Sequence, residues 1–246
     1  MQNRYAADVG DFGKIGMLRK LEKKGLKVGV NWYLVEDESH NEDGKHISYL
    51  ENCNYVGCDD ELRESLKQII INKNRSVQQL EELKLLQSTL YYHKILKSPL
   101  DNGKEYRDKW HKDALSVMKE CDIVFLDPDN GLLPKSVSKG SKKSIKYVFE
   151  EEIVDYYVNG CSVVFYNHRC REKVDVYLKR FENIFKNRDL SSASIKGVSF
   201  VRGTIRDYIY LVQPQHEKAV NEAINELFST AWNKHFEYLV ENKDEI

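Results

Sequence analysis

The 246-residue sequence predicts an α/β fold: a mostly parallel sheet with helices on both faces, one antiparallel strand near the C-terminus, and a helical insertion. Three observations carry this expectation. The continuous apolar run at 123–126 and the largely apolar segments at 28–35 and 161–165 read as buried strands. Segments with helical apolar spacing lie between them, as crossovers in a parallel sheet require. Near the end, residues 199–212 read as two strands around Arg202-Gly203, an antiparallel pair.

Composition narrows the function classes. Hydrophobic residues make up 41% and charged residues 31%, enough for one large domain spanning 1–246. Thirty-eight basic against 39 acidic residues leave a net charge of −1, so any nucleic-acid partner needs a local basic patch. No apolar run approaches the roughly 20 residues of a membrane span, and Met1 to Tyr5 shows no secretory signal core. The five cysteines, at 53, 58, 121, 161 and 170, are odd in number. Cys53 and Cys58 have no second pair near them, so no metal site is expected. A reducing cytoplasm is the expected location.

In chain order, Ile15, Leu18 and Leu21 face one side, with Arg19, Lys20, Lys23 and Lys24 on the other. That spacing makes an amphipathic helix, ended by Gly25. Gly10 and Gly13 lie at its start and Asp11 is placed to cap it. Bare backbone and free N–H groups there suit a polar ligand, although a capped helix with a glycine turn reads the same way. Lys14 is either a solvated helix lysine or a group reaching back into the site. After the strand at 28–35, Glu36 and Asp37 stand at its carboxyl end, where an acid accepts from ribose hydroxyls. Residues 45–100 read as an insertion. Asp59 and Ser76 cap its two helices, and a short strand follows at 89–93. Residues 98–103 read as a loop and 105–120 as a helix with Trp110, Ala114, Leu115 and Met118 inward. Helices are also expected at 147–158, at 174–184 and through 215–241.

The stretch that carries chemistry is Asp127-Pro128-Asp129-Asn130-Gly131, at the end of the second buried run. Two carboxylates and an amide crowd one turn at the carboxyl edge of the sheet, where ligands bind in open α/β folds. Tyr166 and His168 follow the next strand in the same way. Lys135, Lys139, Lys142 and Lys143 lie in a basic loop, 135–146, that can hold a phosphate backbone or simply be solvated.

This arrangement resembles the class I S-adenosylmethionine-dependent methyltransferases, whose Rossmann-like sheet is parallel apart from one antiparallel strand near the C-terminus. Members that methylate exocyclic amines carry Asp/Asn-Pro-Pro-Tyr/Phe after the fourth strand. Asp127-Pro128-Asp129-Asn130 is similar, with Asp in place of the second Pro and Asn in place of the aromatic. Ala7-Asp8-Val9 and Phe12-Gly13-Lys14 resemble the ribosomal-RNA adenine-N6 methyltransferases, in which a segment before the first strand touches the cofactor. The likeness covers about residues 5–37 and 105–212. It implies S-adenosylmethionine held by Asp8, Gly10, Asp11, Phe12, Gly13 and Lys14 with Glu36 and Asp37. It also implies that Asp127 accepts from the target amine within a catalytic set of Asp127, Pro128, Asp129, Asn130, Tyr166 and His168. Tyr166 supplies the stacking face that position 130 lacks. The glycine-rich loop of the family is missing after the first strand. Two alternatives stay open: a Mg²⁺-dependent nuclease or phosphodiesterase using Asp127, Asp129, Glu36 or Asp37, and His168, and a catalytically silent binding module.

Overall fold

In the computed structural model, residues 1–38, 44–169, 173–187, 190, 192–202 and 204–240 are described. Helix α1 (Val9–Lys23) begins at Asp8, whose side chain accepts from the Asp11 N–H. A carboxylate there meets both an orphan donor and the positive end of the helix dipole. The cap is thus Asp8 rather than Asp11, which accepts from the Ala7 N–H at 2.9 Å. Gly25 closes the helix at φ +85°.

Strand β1 (Val28–Asn31) is shorter than expected. Trp32 to Val35 remain buried, but after the Trp32 N–H bonds Tyr92 O the chain leaves the ladder, and Tyr33 takes φ +44°. Their backbone groups find other partners: the Val35 N–H donates to Met1 O, and Leu34 O accepts from Leu96. Asp59 and Ser76 cap α2 (Asp60–Ile71) and α3 (Val77–Glu82) as predicted. Leu62, Leu66, Val77 and Leu80 of these helices enter the same apolar core as α1. Next come β2 (Leu90–Tyr92) and α4 (Pro99–Met118). The expected loop at 98–103 is the first turn of α4, capped by Ser98 and bent at Gly103.

Strand β3 (Ile123–Leu126) is fully buried. A two-residue ladder, β4 (Gly131–Leu132) with β5 (Tyr147–Val148), brackets the basic segment. That segment consists of turns and a 3-10 helix over Lys142–Lys146. Then follow α5 (Glu150–Val158), β6 (Ser162–His168), α6 (Val174–Asn187), β7 (Ser194–Arg202), β8 (Thr204–Val212), α7 (Glu217–Phe228) and β9 (Phe236–Val240). Gly203 lies outside the described residues.

The sheet order is β2-β1-β3-β6-β8-β7-β9. The first four strands are mutually parallel. Strand β8 runs antiparallel to both β6 and β7, and β9 antiparallel to β7. The architecture is α/β and Rossmann-like. Strand β9 corrects the expectation of helix through 215–241. Phe236 and Leu239 stand three apart, which imitates a helical period. In a strand that spacing reaches opposite faces, and the two side chains do enter different cores. One core joins the sheet to α1, α2, α3 and α7, the other to α4, α5 and α6. No helix among the described residues is long and apolar enough to cross a membrane.

Candidate functional site

From β1 the chain moves outward to β2, then returns past β1 to β3. The connections leaving the carboxyl ends of β1 and β3 therefore diverge, and such a switch point leaves a crevice. The Asp127 N–H bonds Asn31 O at 2.9 Å, which places the Asp127-Pro128 turn at that point. Beside it opens a cleft of about 330 Å³. Its walls are the start of α1, the turn after β3, the facing ends of β6 and β8, and the loop carrying Glu38 and His46.

Lys14 is the electrostatic hub. Its ammonium donates to Asp11 Oδ1 at 2.8 Å and to Asp127 Oδ2 at 2.6 Å. Burial alone depresses an ammonium, but the two carboxylates outweigh it and hold Lys14 well above the ordinary lysine range. Burial raises the Asp127 carboxyl, with Lys14 and the N-terminal amine acting against it. The other carboxylate oxygen of Asp127, Oδ1, makes no hydrogen bond among the described residues, although Asp127 lines the cleft. Asp8 is also raised, first by burial and then by Asp11, with Arg206 opposing.

Asp129 has a different environment. The Met1 amine lies 2.7 Å from it, and Gln2 donates to it at 2.8 Å. Burial pushes this carboxyl up, and the amine and Gln2 bring it below the usual carboxylate range. The Met1 amine also donates to Asp127 O at 3.0 Å, so the N-terminal segment clamps the turn. Asn130 is held by its backbone: its N–H donates to Lys146 O, and its carbonyl accepts from the His168 N–H. Tyr166 and His168 lie within β6 rather than beyond it, because β6 continues to His168 against the long strand β8. The Tyr166 hydroxyl and His168 Nδ1 are 3.3 Å apart. Burial and then Arg206 lower the His168 imidazole.

The structure thus gathers Asp8, Gly10, Asp11, Lys14, Asp127, Pro128, Asp129, Asn130, Tyr166 and His168 around one cleft. Others fall elsewhere. Phe12 is fully buried between Tyr49 and Trp232, with ring centroids at 5.1 and 4.7 Å. Gly13 faces the Phe200 ring, where a Cβ would sit 2.8 Å from ring carbons. Both serve packing, because α1 turns this face toward the sheet. Glu36 and Asp37 are exposed and do not line the cleft; Glu38 does, with Lys146 donating to it at 2.6 Å. Lys135, Lys139, Lys142 and Lys143 are exposed outside the cleft, and Lys139 pairs with Glu151.

Sequence reasoning missed Glu38, His46, Arg206 and Tyr208. A signal for the last two existed: Thr204, Arg206 and Tyr208 alternate along β8, so they share one face. Where the resembling family has its glycine-rich loop, this chain places Trp32 and Tyr33, both buried. Trp32 donates to Glu81 at 2.8 Å, and Tyr33 to Glu152 at 3.0 Å.

The Mg²⁺ set is not assembled. Lys14 holds Asp127, the N-terminal amine holds Asp129, and Glu36 and Asp37 face solvent. Among the described residues no group of three His, Cys, Asp or Glu side chains is placed to hold a metal. Ser162, His216 and Asp122 also touch in sequence, with Ser162 Oγ to His216 Nδ1 at 3.0 Å. Ser162 is fully buried and its Oγ accepts the Gln213 N–H, so this is a tie between strands rather than a nucleophile.

The chain matches no protein-family model and no curated protein. Among solved structures it is similar to a Legionella pneumophila protein assigned to the family DUF519. The TM-score is 0.48 at 13% identity, covering 97% of each chain.

Proposed function

We propose that this chain is an S-adenosylmethionine-dependent methyltransferase acting on an exocyclic amine of a nucleic-acid base. One observation carries the reading. Asp127, at the carboxyl end of a central strand, offers the cleft an oxygen with no hydrogen bond among the described residues while Lys14 fixes the other. That oxygen is placed to accept an N–H of the target amine and hold its lone pair toward an electrophilic carbon, which is catalysis by positioning. Tyr166, on the neighbouring strand, supplies a flat face for the base. Strand β8, antiparallel between β6 and β7, is similar to the one antiparallel strand of the resembling family, and β9 adds a second at the sheet edge.

The bound cofactor would supply a methyl group on a positively charged sulfur. The residues present fit such a group. The cleft is within the size range of small-molecule sites. Asp8, Glu38 and His46 would hold it. Acidic groups there suit its net positive charge. With Trp32 and Tyr33 filling the end of β1, the cofactor would lie against the start of α1. Lys135, Lys142 and Lys143 are exposed and make no ion pair among the described residues, which suits a phosphate backbone leading to the cleft.

Thermal unfolding with S-adenosylmethionine or S-adenosylhomocysteine tests this. At 100 times Kd a ligand stabilises by about 2.7 kcal/mol, or roughly 5–10 °C for a domain of this size. A shift of that order is expected with both compounds, and no shift at millimolar concentration with either refutes the reading. With the cofactor bound, Asp127→Ala, which removes the acceptor, is expected to lower methyl transfer to RNA or DNA at least 100-fold.

A further inference from the structure

Tyr208 sits midway along β8 and is fully buried. Its hydroxyl has no hydrogen-bond partner among the described residues. Leaving a buried hydroxyl unmatched costs about 1–3 kcal/mol, so such groups are uncommon and call for a reason. Tyr210 also lacks a partner for its hydroxyl, but it is enclosed in the core and does not line the cleft, whereas Tyr208 does. The Tyr208 ring is held by Phe125, Tyr166 and Phe236, with centroids at 6.0, 6.3 and 6.4 Å. Its neighbours on the cleft wall are Lys14, Asp127 and Arg206, whose charges all act on it.

We infer that Tyr208 is a substrate-binding residue whose hydroxyl donates to an acceptor atom lying next to the target amine. The inference rests on the methyltransferase reading and names the atom beside the target amine that the site reads. An ionised Asp127 only accepts, and burial keeps the Tyr208 phenol protonated so that it can donate. An acceptor beside a donor matches an amine attached to a carbon that also bears an unprotonated ring nitrogen. The amino edges of adenine, of cytosine and of guanine, at N2 beside N3, have that pattern, and an isolated alkyl amine does not. Discrimination follows because a ligand without the acceptor leaves the buried phenol unmatched.

Tyr208→Phe keeps the ring and removes only the hydroxyl. It is expected to fold with a Tm equal to or above that of the parent protein, since an unmatched buried group is lost. Affinities would be measured by calorimetry in the presence of S-adenosylhomocysteine, using adenosine, cytidine and guanosine with 1-deazaadenosine, 3-deazacytidine and 3-deazaguanosine. The parent protein is expected to prefer at least one natural nucleoside over its deaza analogue by roughly tenfold, the worth of one good hydrogen bond. Tyr208→Phe is expected to bring that ratio close to one while leaving the S-adenosylhomocysteine shift unchanged. A ratio that survives in Tyr208→Phe, or a parent protein that binds each pair equally or not at all, overturns the inference. If S-adenosylhomocysteine itself fails to shift the parent protein, the methyltransferase reading falls with it. An intact shift with an unchanged ratio removes only the role of Tyr208.

Discussion

Replacing Lys14 by Met removes one buried ammonium and leaves two buried carboxylates facing each other. At separations of 2.8 and 2.6 Å, each Lys14–carboxylate attraction is about 6 kcal/mol at an effective dielectric of 20. Most of that offsets the desolvation of three charges, so the gross attraction is not the net stabilisation. Breaking a buried pair by removing one partner nevertheless costs about 3–5 kcal/mol, because the remaining charge stays uncompensated. That loss is expected at pH 8, read from urea unfolding of the parent protein and the variant. The loss also depends on pH in a defined direction. Without Lys14, which opposes the effect of burial, the Asp127 carboxyl should be raised further above its unfolded value. Stability from such groups is present at low pH and disappears as pH rises through the folded value. Lys14→Met is therefore expected to lose less stability at pH 5 than at pH 8. A loss below 1 kcal/mol, or one that is the same at both pH values, would refute the assignment of Lys14 as the counter-charge of this cleft.

Gly131→Ala is expected to cost at least 3 kcal/mol, measured by the same unfolding assay. Gly131 has φ +102°, and an added Cβ would lie 2.1 Å from Asn167 Oδ1 and 2.7 Å from the Asn167 Cα, which is backbone and cannot swing away. Stability is also expected to fall as pH drops from 6.5 to about 4. Burial, with Arg202 and Lys234 nearby, pushes the His235 imidazole down to about 4. Below 6.5 the unfolded chain takes up a proton that the folded one refuses. His216 is lowered by burial as well and acts in the same direction. His235→Gln should flatten this slope, and an unchanged slope would show that His235 is not its source. Leu126→Asp should give insoluble protein, because it places an unpaired charge in a strand with no exposed surface. A soluble, folded variant would contradict the placement of β3.

What the sequence disclosed is local chemistry. Asp59 and Ser76 announce their helices because a cap acts on N–H groups within the next turn. The Asp127 turn is recognisable because an apolar run ending in acids marks a sheet edge. What it concealed depends on distant partners. Lys14 looks like any helix lysine until α1 is laid beside β3. Glu36 and Asp37 look better placed than Glu38, yet the Val9 N–H pairs with His46 O and draws that loop over the start of α1. The role of Trp32 and Tyr33 is equally hidden, since a buried strand and a plugged crevice read alike as apolar letters.

The β6–β8 ladder has one further consequence. Tyr166 pairs with Tyr208 and His168 with Arg206, and all four line the cleft, while Asn167 and Asp207 between them serve the opposite side. This wall is inherited as a block. Sliding either strand by a single position would turn its polar and aromatic contributors away together and bring forward the neighbours that now stabilise the far side. A one-position slip of β8 against β6 would therefore change all the cleft-facing side chains of that strand in a single step, whereas point changes along the wall alter it one side chain at a time.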